Sequence, residues 1–209
     1  MATLHKVLVS NARFGETAAG ETFTYTNGYG QLTKAGVQVQ KGATAHADVA
    51  ITMQLVTVDT TQSWFKEHAQ VFTAAQQQRI QEHLDRKDSA SAWNAIFAWG
   101  AAGQHDENYF RNASAQSVTT QTDSEKTIVQ SAKKVQTSHV KVTGTVDIVG
   151  LSMLPTTAFV FAQISTIQFA DGTSIQVLDQ DNPVAASASG DTSNVQARPK
   201  QLTVVPLEA

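Results

Sequence analysis

Four stretches of the chain alternate apolar and polar residues with a period of two. The clearest is 47–55, where Ala47, Val49, Ile51, Met53 and Leu55 share one face and Asp48, Ala50, Thr52 and Gln54 share the other. Successive side chains of a strand point to opposite sides, so this pattern predicts a strand covered on one face and solvated on the other. Residues 139–148 repeat it: Val140, Val142, Val146 and Ile148 face inward, and His139, Lys141, Thr143, Thr145 and Asp147 face outward. At ~3.3 Å per residue each spans about 30 Å, longer than the usual strand. Residues 164–170 and 173–178 flank Asp171-Gly172 and predict a hairpin, since Asp-Gly suits the two positive-φ positions of a type I′ turn. Phe159, Val160, Phe161 and Ala162 are apolar on both faces and predict a central strand, with helices as its natural cover. Weaker strand patterns occupy 6–10, 22–26, 37–40 and 202–205, with Gly28-Tyr29-Gly30 and Lys41-Gly42 reading as turns between them.

From 62 to 102 the period changes. Trp64, Phe65, His68, Val71 and Phe72 follow helical spacing. Thr73-Ala74-Ala75-Gln76 has the form of a capping box, in which the threonine hydroxyl accepts a free backbone N–H and the glutamine returns the bond. Ile80 and Leu84 continue one face of a second helix. Asp88 or Ser89 caps a third, on which Trp93, Ile96, Phe97 and Gly100 recur at helical spacing before Gly103 stops it. The prediction is three short helices at 62–72, 74–87 and 91–102. Residues 103–137 are polar, with 126–130 as a further strand. Residues 179–200 carry Asn182-Pro183, Ala-Ser repeats and Gly190 and predict an extended loop. The whole reads as an α+β fold in a single domain over 1–209: a mainly antiparallel sheet with long strands and a helical insert, 62–102, packed on it.

Composition narrows the chemistry. The chain has no cysteine, which excludes disulfides, thiolate metal sites and a cysteine nucleophile. Its formal charge is −3 and only 16% of residues are charged, so nucleic acid is not an expected partner. Ser, Thr, Gln, Asn and Ala take the place of charge, a composition that suits packing against copies of the same chain, a neutral ligand or a membrane surface. The apolar run after Lys6 is too short for the core of a signal peptide, and Ala158–Ala162 is far below a membrane span. The chain is therefore expected to be made in soluble form in the cytoplasm, any release following a signal-peptide-independent route.

No catalytic motif is present. Gly150-Leu151-Ser152-Met153-Leu154 lacks the second glycine of a nucleophile elbow, Gly28-Tyr29-Gly30 lacks the third glycine of a dinucleotide site, and there is no His-Glu-x-x-His. Glu67-His68 and Glu82-His83 would bring two histidines to one face of an unbroken helix, but Thr73 interrupts it, and zinc needs three or four ligands. Asp179-Gln180-Asp181-Asn182 resembles a fragment of a calcium loop without its glycine and distal glutamate, and reads as a turn. No catalytic residue, metal ligand or cofactor is assigned, and a non-enzymatic role is expected.

All three tryptophans, Trp64, Trp93 and Trp99, fall in the helical segment, and the third helix has almost no charge between Ser89 and Gln104. The rings suit a helical layer packed on a sheet. They equally suit a helix that enters a bilayer interface, where an indole is apolar on its faces and wet at its N–H. The foremost functional expectation is thus a membrane-active protein, toxin-like or pore-forming, with Trp93, Ile96, Phe97 and Trp99 as membrane or partner contacts. One alternative is a self-assembling structural subunit of a filament, shell or crystal, hence a homo-oligomer. Another is a module for a neutral ligand such as a glycan, with exposed Tyr25 and Tyr29 as stacking surfaces.

Overall fold

The computed structural model describes residues 20–111, 113–198 and 201–207; the strand expected at 6–10 lies outside them. Ten strands and four helices follow in the order β1 (Thr22–Gln31), β2 (Val37–Val39), β3 (Thr44–Leu55), α1 (Val58–His68), α2 (Ala74–Asp85), α3 (Ser89–Ile96), β4 (Ala115–Thr119), α4 (Asp123–Ala132), β5 (Ser138–Gly150), β6 (Thr156–Phe169), β7 (Ser174–Leu178), β8 (Val184–Ser187), β9 (Val195–Arg198) and β10 (Thr203–Pro206). The fold is α+β and mainly antiparallel, as the periodicities predict, with its strands divided between two sheets where one was expected.

In the first sheet β6 is central. β1 and β2 lie end to end along one of its edges, β7 and β8 along the other, and β4 adds outside β1. In the second, β5 is central, with β3 along one whole edge from Thr44↔Val149 to Leu55↔Ser138, and β9 and β10 along the other.

The two sheets and the helices make two cores on opposite faces of the first sheet. On β6 the buried positions are Ala158, Val160 and Ala162, then Ser165, Ile167 and Phe169. Sides alternate along a strand, so the change of parity near residue 164 is a change of face. No bulge produces it, because the β1–β6 register runs unbroken from Phe23↔Phe169 to Gln31↔Phe161. The first group packs with Val140, Val142, Val146 and Ile148 of β5 and with Ala47, Val49 and Leu55 of β3. The second packs with Phe23 and Tyr25 of β1, Ile175 and Val177 of β7, and the helices. Val160 and Ala162 are therefore covered by the second sheet and not, as expected, by helices, while Phe159 and Phe161 on the other side are half-buried.

The helical segment forms as predicted, with shifted ends. α1 starts earlier, at Val58, where the Thr57 side chain accepts from Thr60 N–H. The capping box of α2 is complete: Thr73 Oγ1 accepts from Gln76 N–H, and Gln76 Oε1 accepts from Thr73 N–H. Asp88 caps α3 by accepting from Ser91 N–H at 2.9 Å. Phe97–Ala101 continues α3 as a wider π turn, and Gly103 at φ +60 ends it.

Four local expectations are corrected. Gly28 and Gly30 lie inside β1, not in a turn, and a Cβ at Gly30 would stand 2.5 Å from Ile164 Cδ1, which packs against the bare backbone. The β6–β7 connection is a three-residue loop and not a type I′ turn. Gly172 alone has positive φ, Gly172 N–H bonds Phe169 C=O, and Phe169 N–H bonds Thr173 C=O, the pattern of a type I turn closed by a glycine bulge. Residues 126–130 are helical, within α4, whose start is a second capping box between Thr122 and Glu125. Finally, 179–200 is not one extended loop, since it contributes β8 and β9.

Candidate functional site

α3 sits at the centre of the helical layer. All eight of its residues are buried, with Trp93 and Ile96 at 0% exposure, and Phe97 just beyond it is equally enclosed. A helix without charge and buried on every side needs surroundings without water. Here α1, α2 and β7 supply that environment to α3, and α4 supplies it to the π turn that extends α3. The Trp93 indole N–H donates to Thr61 Oγ1 at 2.9 Å, and the Thr61 hydroxyl in turn donates to Thr57 C=O at 2.8 Å, so the polar atom of the buried ring is satisfied. Trp64 lies 5.1 Å from Trp93 and stacks on His68, whose Nδ1–H meets Trp64 C=O at 2.8 Å. Trp99 alone of the proposed contacts is half-buried, beside the polar segment His105–Asn108.

Tyr25, expected on the surface, is 1% exposed and stacked on Phe110 at 4.5 Å. Its side of β1 lies under the helical layer, and burial pushes its hydroxyl up to about 12, so it stays protonated. It offers no stacking face to a ligand. Tyr29, four residues on, is half-buried. Beside Tyr25, where the buried face changes, Asn27 holds the chain together. Its Nδ2 donates to Phe110, Arg111 and Ala113 carbonyls, and its Oδ1 accepts from Ser165 Oγ at 2.7 Å. Asn94 Oδ1 is buried without a partner next to this small polar niche.

The two Glu-His pairs do not meet. His83 is 8% exposed and lies 3.7 Å from Glu107, which Arg79 also holds at 3.1 Å. Burial pulls the His83 pKa below its ordinary value. Among the described residues no group of three or more His, Asp or Glu side chains is placed to hold a metal ion. Asp179 Oδ1 accepts from the Asp181 and Asn182 N–H groups at 3.1 and 3.2 Å, so this carboxylate closes a turn onto its own backbone.

Three surface features stand out instead. The first is the outer edge of β3. The strand is 12 residues long, pairs only with β5, and has no other backbone hydrogen bond among the described residues. The second is the β5–β6 connection, where Leu151, Met153 and Leu154 are 46%, 77% and 75% exposed. The third is a cavity of about 230 Å³ where α1 begins, floored by buried Val56, Leu178 and Leu202. Of these, only the long strand was legible from periodicity. The exposed Leu-Ser-Met-Leu run carried a signal as well, since four residues of that kind before Pro155 fit neither period. No helix among the described residues is long and apolar enough to cross a membrane. Compared with protein-family models, curated proteins and solved structures, the chain matches none.

Proposed function

We propose that the protein is a non-enzymatic structural subunit that assembles with copies of itself. The edge of β3 that no other strand among the described residues pairs carries this reading. An open strand edge is a template for another strand, and proteins that stay monomeric blunt such edges with lysine, proline, bulges or short length. β3 has none of these: it runs from Thr44 to Leu55 without proline or lysine, in unbroken register with β5, and Asp48 is its only acidic or basic residue besides His46. Its outer face is small and polar, with Thr52 and Gln54 beside Lys141 and His139 of β5.

The burial of α3 bears on the membrane-active alternative. The absence of charge that motivated it is accounted for by protein on all sides, so membrane contact through Trp93, Ile96, Phe97 and Trp99 requires α3 to leave its layer. Dye release from liposomes measures that directly.

Sedimentation velocity and negative-stain microscopy across a concentration series test assembly. The wild-type protein is expected to form species larger than a monomer, and Ala50→Lys, which places a charge on the exposed edge, to shift them toward monomer. A strict monomer at high concentration would overturn the reading.

A further inference from the structure

The backbone groups along the outer edge of β3 follow from one bond and one register. Gly150 N–H bonds Ala43 C=O at 3.1 Å, and from there the β3–β5 register runs without a break from Thr44↔Val149 to Leu55↔Ser138. Facing residues of an antiparallel pair alternate between partners that exchange both backbone bonds and partners that exchange none. The odd-numbered residues of β3 therefore bond β5, and the N–H and C=O groups of Thr44, His46, Asp48, Ala50, Thr52 and Gln54 point away from it. Their side chains all lie on the exposed face. The outward run stops at Val56, whose N–H bonds Gln176 C=O of β7 at 2.9 Å.

The length of this edge restricts what can pair with it. β3 has 12 residues, whereas the other outermost strands, β2, β4, β7, β8, β9 and β10, have three to five. Within a second copy, only β3 itself matches it from end to end.

We propose that two copies join edge to edge at β3, antiparallel, about a two-fold axis through Val49. This rests on the self-assembly reading above and names its geometry. Thr44 then faces Gln54 of the second copy, His46 faces Thr52, and Asp48 faces Ala50. Each of these pairs exchanges two backbone bonds, so every outward residue of both strands is used. No like charges meet, which would be destabilising directly across a pair. An axis at residue 48 would set Asp48 against its own copy, and one at residue 50 would leave Thr44 unpaired. The inner face is also self-complementary. Val49 meets its copy, Ile51 meets Ala47 and Met53 meets Ala45, so each larger side chain is set against a small one. Ile51, Met53 and Ala45 are only partly buried within one copy, packed at the margin of the core between the sheets. The second copy extends that core over them. Such a contact uses the same patch on both partners and closes at the dimer.

The chain has no cysteine, so cross-linking reads the register directly. Asp48→Cys and Ala50→Cys are made on separate chains, mixed and oxidised. Directly opposed residues of this kind have Cα atoms about 5.5 Å apart, within the span of a disulfide. Residue 48 and its own copy, or residue 50 and its own copy, are diagonal neighbours at about 7–8 Å. The expected result is a 48–50 heterodimer roughly tenfold more abundant than either homodimer. Thr52→Pro removes an outward N–H that β5 does not use, a position where a strand tolerates proline. It is expected to weaken dimerisation in sedimentation velocity roughly tenfold, with far-UV circular dichroism unchanged. Amide exchange at the six outward residues should be fast in the dilute monomer and slow in the dimer.

If the wild-type protein assembles without the 48–50 cross-link, the two-fold contact is wrong and the assembly reading stands. If it never assembles, both fall. Protection of the outward amides already in the monomer would mean that the chain covers its own edge, residues 1–19 included, and would overturn the two-fold contact. Growth into filaments that Ala50→Lys abolishes would overturn it too, because β3 would then be pairing a different edge of the next copy.

Discussion

The core beneath the helices and the core between the sheets are built from different side chains, although β6 and β7 serve both. The first holds Phe23, Tyr25, Trp64, Phe65, Phe72, Trp93, Phe97, Phe110 and Phe169. The buried residues of the second are only Leu, Val, Ile and Ala. Two sheets face each other at about 10 Å, a gap that interdigitated β-branched and alanine side chains fill. Helices crossing a sheet leave broader, irregular spaces, and rings fill these in tilted and edge-on contacts such as Phe23–Phe97 at 5.0 Å and Trp93–Phe97 at 5.7 Å. The difference teaches that one strand can carry two residue codes. β6 is Ala-Val-Ala where it meets a sheet and Ile-Phe where it meets helices, on opposite faces.

The strongest way to break this comparison is Trp93→Ala. Removing a fully enclosed indole costs about 3–5 kcal/mol and frees Thr61, so hydrogen exchange is expected to speed up in α1–α3 while β3 and β5 keep their protection. Ile148→Ala, also at 0% exposure, is the converse. It should cost about 2–5 kcal/mol in denaturant unfolding, with protection lost first from β3 and β5. Equal loss across both regions in both variants would show one cooperative core instead of two. Gly150→Ala probes the seam: its Cβ would stand 2.3 Å from Gln40 C=O, a backbone atom that cannot swing away. A loss of about 1–3 kcal/mol is expected. Asn27→Ala unties the loop carbonyls at the change of face, with an expected cost of about 1–3 kcal/mol and faster exchange at 110–113.

The smallest effect is a pH dependence confined to the helical side. Burial lowers the His83 pKa in the folded state, so the unfolded chain takes up the proton first. His83 therefore subtracts no stability at neutral pH, and stability falls as pH drops below about 6.5 toward the lowered folded value. The thermal midpoint followed from pH 7.5 to 5.5 should decline less in His83→Gln than in wild type.

Much of this fold was legible locally. The alternation at 47–55 and 139–148 placed β3 and β5 and their inner faces, and Thr73-x-x-Gln76 placed the start of α2. Alternation in Thr22-Phe23-Thr24-Tyr25 also put Phe23 and Tyr25 on one face, a stronger guide to Tyr25 than its suitability for stacking. α4 was missed because Thr127, Ile128 and Val129 are β-branched and suit a strand equally, although Thr122-x-x-Glu125 marked a helix start. Gly28 and Gly30 misled because a glycine inside a strand, such as Gly30 against Ile164 of β6, looks the same as one needed for a turn.

What the sequence determined by itself is most of the elements and the inner faces of the long strands, because periodicity, capping and turn chemistry act over a few residues; β4, α4, β8 and β9 escaped it. What each buried face packs against was decided only in three dimensions. A charge-free helix with an indole at its centre is suited to any surroundings without water, protein or lipid, and α3 became a core helix because α1, α2 and β7 close around it. The same holds for Leu151, Met153 and Leu154. Their apolar character is local, but only the register of β3 with β5 sets them at the far end of the sheet from the start of α1.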